Sequence, residues 1–151
     1  MIGREKREYN DLFFVCSLIE YIGRKTKNHR AIVVNSVGQE KWLHIYELAD
    51  VYHSDNIDRV SDELIDKYKI TTGNFDNIAD CQYSIPTHWD IGKVYKRLII
   101  SICKKQGKEV IPILMETYNS YLSEKIEDFN CSLYYESPNY LYESYLAGKP
   151  L

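Results

Sequence analysis

Helix breakers are scarce in this chain: seven glycines and four prolines are spread over 151 residues. The stretches between them carry apolar residues at three- and four-residue intervals. Such a pattern winds into helices, because side chains three and four positions apart share one helical face. DNIDRVSDELIDKY shows it most plainly. Ile57, Val60, Leu64 and Tyr68 fall on one side, and Asp55, Asp58, Asp62 and Asp66, at offsets 0, 3, 7 and 11, on the other. Upstream, Asn10 or Asp11 is a suitable N-cap for DLFFVCSLIEYIGRK. There Leu12, Val15, Cys16, Ile19 and Ile22 keep helical spacing while Phe13, Phe14, Leu18 and Tyr21 make the other faces apolar, so this helix belongs at the centre.

The remaining elements follow the same logic. A short helix over about Arg30 to Val37 is closed by Gly38, and QEKWLHIYELADVYH carries a stripe of Trp42, Ile45, Tyr46, Ala49 and Tyr52. THWDIGKVYKRLIISICKKQG opens on a Thr87/Asp90 capping box and ends at Gly107. A long helix over about Glu109 to Phe129 tolerates Pro112 in its first turn, and a short one is expected near Asn139 to Ala147. Residues 70–86, ITTGNFDNIADCQYSIP, lack helical period and read as a long internal connection, either a functional loop or an unrecognised element. The expectation is an all-α, single-domain helical bundle over residues 1–151, with five or more helices and a short Tyr-rich C-terminal helix.

Bulk properties narrow the function classes. An apolar content of 44% with 27% charged residues is ordinary for a globular chain. No apolar run approaches the ~18 residues of a membrane span. MIGREKREYND is charged and lacks a signal peptide's apolar stretch, so a cytoplasmic location is expected. Cys16, Cys81, Cys103 and Cys131 are scattered, without a CxxC pair or nearby histidines, which suits a reducing compartment and suggests neither a disulfide framework nor a zinc site. A net charge of −3 gives no general attraction to nucleic acid. No cofactor, metal or membrane is implied.

YELADVYHSDNID, residues 46–58, places His53 among carboxylates. One use is catalytic, with Asp50 orienting His53 as a general base. The preferred reading is structural: His53 ends the Trp42 stripe and closes the core at a helix terminus, and Ser54 or Asp55 caps the next helix. A lone His–Asp pair brings no nucleophile, second metal ligand or phosphate cradle.

Residues 12–68 resemble a family of short, uncharacterised bacterial helical proteins encoded near ADP-ribosyltransferase-like toxins. The likeness lies in LFFVCSLIEYIGRK, IYELADVYH and NIDRVSDELIDKY. It implies an antitoxin or other partner-binding role, carried by Glu20, Tyr21, Tyr46, Asp50, Val51 and His53. Tyr52 stands where that family has leucine, and the likeness does not extend past Tyr68. Separately, Arg24 and His29 in RKTKNHR form R-x4-H, which resembles the motif of small all-α HEPN ribonucleases. That likeness implies metal-independent RNA cleavage, with Arg24 steadying the phosphate and His29 moving a proton. Lys25 departs from the small polar residue usual there, and a solvated basic helix end accounts for the same residues.

Two further features suit contact between proteins. The acidic stripe Asp55/Asp58/Asp62/Asp66 and the basic face Lys93/Lys96/Arg97/Lys104 read first as solvated faces, and otherwise as surfaces for pairing within the chain, across a dimer or with a partner. Five of the fourteen tyrosines, Tyr134, Tyr135, Tyr140, Tyr142 and Tyr145, crowd the tail. Tyrosine's broad ring and polar tip suit a half-buried seam or an interface, and folding back onto the bundle is the preferred use. The expected function is a non-enzymatic protein–protein interaction module, as the antitoxin or accessory partner of a toxin-like protein or within a homo-oligomer. The alternative is the HEPN-like ribonuclease.

Overall fold

The computed structural model describes residues 2–148, with side chains from residue 7 onward. Over these residues the chain is an all-α bundle. Its helices are α1 (Ile2–Thr26), α2 (Arg30–Val37), α3 (Gln39–Glu47), α4 (Ala49–His53), α5 (Ile57–Lys67), α6 (His88–Gln106), α7 (Val110–Tyr118), α8 (Tyr121–Glu127) and α9 (Pro138–Ala147), with a 3₁₀ turn over Ser132–Tyr135. No described helix is long and apolar enough to cross a membrane.

The centre of the bundle is the contact of α1 with α6. Leu12, Phe14, Val15, Cys16, Leu18, Ile19 and Ile22 of α1 meet Ile91, Tyr95, Leu98, Ile99 and Ile102 of α6, all of them buried. The two backbones come very close where Gly92 crosses Ser17. A Cβ at Gly92 would lie 2.9 Å from the Ser17 backbone, so glycine sets the distance between these helices. Helices α2 to α5 pack along α1, whereas α7 and α9 pack on α6. The Thr87/Asp90 capping box forms as expected, with reciprocal bonds of 2.9 and 3.0 Å, and Gly107 ends α6 with φ of 63°.

Several boundaries depart from the sequence reading. Helix α1 begins at Ile2, about two turns before Asn10, because the Arg, Glu and Lys of GREKREY are good helix formers. The stripe of residues 39–53 breaks at Leu48, which leaves the helical range (φ −107°, ψ 25°) and divides α3 from α4. The expected 109–129 helix also breaks in two, at Asn119 and Ser120. Asn119 donates to the Met115 carbonyl and exchanges bonds with Asn35 of α2, while the Ser120 hydroxyl donates to the Thr117 carbonyl. Short polar side chains that bond locally to backbone commonly end helices in this way. Asn56 caps α5, in place of Ser54 or Asp55, by accepting from the Asp58 N–H at 2.8 Å.

Candidate functional site

The residues singled out in the sequence are dispersed. His53 and Asp50 are both exposed; the His53 ring lies 5.5 Å from that of Phe14, and no hydrogen bond joins the pair. The middle of the acidic stripe faces α1: Lys25 bonds both Asp58 and Asp62, and the Tyr21 hydroxyl donates to Asp58 at 2.7 Å. Asp55 approaches Arg59 at 3.9 Å, and Asp66 stays exposed. On α6, Lys96 and Lys104 lie over the rings of Phe13 and Tyr9, while Lys93 and Arg97 are exposed without an ion pair. The two charged faces thus do not pair with each other.

Arg24 and His29 have separate surroundings. The Arg24 guanidinium donates to the Pro86 carbonyl and covers the Phe129 ring at 5.4 Å. His29 lies just past α1, stacked on Phe75 with ring centroids 3.8 Å apart, and its Nδ1 is 2.7 Å from Oε2 of Glu127. The histidine is half exposed; the carboxylate is 5% exposed. The other oxygen of Glu127 accepts from the Arg30 N–H at 3.2 Å and the Ser123 hydroxyl at 3.4 Å.

Beneath this corner lies a buried ion pair. Arg30 Nε donates to Glu20 Oε1 at 3.1 Å, and its Nη1 donates to the Asn28 carbonyl at 2.9 Å. The arginine stem runs against Gly23, where a Cβ would come within 2.4 Å of it. Burial raises the Glu20 pKa and the Arg30 charge opposes that rise. Burying such a pair is costly unless the partners stay matched, so it locks the α1–α2 corner in one arrangement.

The connection between α5 and α6 is ordered by specific bonds. The N–H groups of Gly73 and Phe75 donate to the Thr26 and Lys27 carbonyls at 2.8 and 2.9 Å. Asn77 donates to the Glu127 carbonyl at 3.1 Å, and Asn130 joins both Gln82 N–H and the Asp80 carbonyl. Gly73 is required here because a Cβ would fall 2.6 Å from the Lys27 carbonyl oxygen. So held, residues 70–86 form one wall of a groove whose other wall is the chain from the end of α8 through the 3₁₀ turn.

Three adjoining hollows make up the groove. A central one of about 420 Å³ is lined by Tyr83, Ser84, Phe129 and Tyr135 among others. It shares Ser84, Tyr134 and Tyr135 with a second of about 350 Å³ that runs along Ile85, Pro86 and Val94. It shares Phe129 and Asn130 with a third of about 190 Å³ that ends on Phe75, Asp80, Glu124, Glu127 and Asp128. Tyr83, Ile85 and Tyr135 are 67%, 48% and 74% exposed around it. Burial and the neighbouring Tyr135 hydroxyl push the Tyr134 phenol up to about 12.

Of the five tail tyrosines, Tyr134 and Tyr142 are buried, Tyr140 and Tyr145 half-buried, and Tyr135 alone stands out in solvent. The tail therefore folds back onto the bundle and leaves one ring on the groove. Tyr83, Ile85, Phe129, Asp80, Glu124, Asp128 and Glu127 were not singled out by spacing. A sequence signal existed for the buried charges, since Glu20 interrupts the apolar run SLIEYI. Set against protein-family models, curated proteins and solved structures, the chain matches none of them.

Proposed function

We propose that this protein works by binding another polypeptide and that the groove between residues 70–86 and the 3₁₀ turn is its docking surface. One observation carries this reading: Tyr83, Ile85 and Tyr135 stand exposed around a continuous hollow, although the tyrosines beside them are packed away. Apolar patches bordered by polar groups are characteristic of contact sites, and tyrosine is enriched there. The order of both walls also favours binding, since little freedom is lost on association. The resemblance of residues 12–68 suggests an antitoxin or accessory role beside a toxin-like protein. A photo-crosslinking side chain at position 135 should give a discrete adduct in extracts of the native cell, and one at Leu146 on α9 should not. Equal adducts at both positions, or none at 135, would refute the reading.

A second reading, ribonuclease action, draws on His29 alone. Its imidazole is half exposed and fixed through Nδ1 by a buried carboxylate, an arrangement suited to moving protons. Arg24 contributes no support, because its guanidinium is committed to Pro86 and Phe129. Incubation of total RNA with wild type and His29→Ala tests this reading; equal outcomes for the two proteins remove it.

A further inference from the structure

The groove has a polarity of charge that narrows its occupant. We infer that it takes an extended, basic segment of a partner protein, one presenting arginine or lysine together with apolar side chains. This inference rests on the docking role proposed above and adds the chemistry of what docks.

Across the three hollows the charged linings are Asp80, Asp90, Glu124, Glu127 and Asp128, and neither lysine nor arginine is among them. Glu127 is used by His29, Arg30 and Ser123, and Asp90 by the α6 cap. Asp80, Glu124 and Asp128 make no ion pair, and all three are exposed at the end beside Phe75 and Phe129. Lys93 and Arg97 of α6 line none of the hollows, and Lys27, near Phe75, is paired with Asp76 at 3.8 Å. Arg24 lines none of the hollows but reaches two residues that do, Pro86 and Phe129. Its guanidinium carbon is 5.4 Å from the Phe129 ring centroid and it donates to the Pro86 carbonyl, the pairing of aromatic ring and oxygen acceptor that suits an arginine of the occupant as well. The aromatic stretch from Tyr83 to Tyr135 and Ile85 then receives the apolar side chains of the same segment, whose basic residues lie further along at the acidic end.

The test uses the full chain and three fluorescein-labelled peptides, each joining a leucine-containing half to a half rich in arginine, in glutamine or in glutamate, read by anisotropy. The arginine peptide should bind about tenfold more tightly than the glutamine peptide, and the glutamate peptide should not bind. The triple variant Asp80→Asn/Glu124→Gln/Asp128→Asn should abolish the arginine preference. Tyr135→Ala should weaken both the arginine and the glutamine peptides, and Asp66→Asn, on α5 and lining none of the hollows, should change nothing. Equal binding of all three peptides in a Tyr135-dependent way would overturn the basic-partner inference while leaving the docking role intact. Loss of preference in Asp66→Asn would show diffuse attraction and overturn it as well. Absence of any binding also overturns it, and with no adduct at position 135 the docking role falls too. Self-association lost in Tyr135→Ala, without peptide binding, would seat a second copy there and refute the inference.

Discussion

Arg30→Met tests whether the ion pair under the groove end holds the corner together. The substitution keeps most of the apolar stem and removes the guanidinium. Glu20, 1% exposed, then loses its bond of 3.1 Å, and the Asn28 carbonyl loses one of 2.9 Å. Leaving a buried charge without its partner costs about 3–5 kcal/mol, a large part of the 5–15 kcal/mol typical of a domain. Glu20→Gln added to Arg30→Met removes the unmatched charge. The remaining cost is then that of unsatisfied acceptors, about 1–3 kcal/mol, so the double variant should be roughly 2 kcal/mol more stable than Arg30→Met alone. Urea titration followed by circular dichroism and by the fluorescence of buried Trp42 measures both. The pH dependence carries a definite sign. Without Arg30, burial raises the folded-state pKa of Glu20 further above its unfolded value, so the folded state holds the extra proton between the two values. Stability of Arg30→Met should therefore fall as pH rises through that window, and the Gln double variant should lack this fall. A single variant within 1 kcal/mol of wild type, or a double variant less stable than the single, would refute the assignment of the pair as the lock.

Two further outcomes follow from the packing. Gly92→Ala should destabilise the protein by about 1–3 kcal/mol in the same titration, since its Cβ meets immobile Ser17 backbone; wild-type stability would show that α1 and α6 can move apart. Thiol alkylation followed by mass spectrometry should label the half-buried Cys81 and Cys131 first and Cys103, raised to about 11 by burial, more slowly. Cys16, fully buried and pushed up further, should react only on unfolding, and early labelling of Cys16 would show that the centre opens.

The resemblance to an antitoxin-like family and the R-x4-H motif direct attention to residues 12–68, yet the groove is built mostly from residues 75–135. The two proposals are nevertheless physically joined. His29, at the end of the first helix, stacks on Phe75 in the groove wall and is held by Glu127 in its floor. A partner seated at the acidic end would therefore lie close to the imidazole, and His29→Ala is a useful companion to the Tyr135 variants.

Local sequence determined the bodies of α1, α5 and α6 through their apolar spacing, and both ends of α6 through the Thr87/Asp90 box and Gly107, whereas the starts of α1 and α5 fell elsewhere than the expected caps. It also determined that Leu12 to Ile22 would be central, because no face of that segment is polar enough for solvent. What it left open were the breaks at Leu48 and Asn119, where apolar period continues but the helices on either side turn to pack on different neighbours. Asn119 is set by its bonds to Asn35, a residue 84 positions away. The groove was open in the same way. Its walls contain little period, and its character comes from residues far apart in the chain, such as Asn77 with Glu127 and Gln82 with Asn130. Periodicity reports which face of one element is buried; only the packing of several elements decides which carboxylates remain unmatched and which rings remain in water.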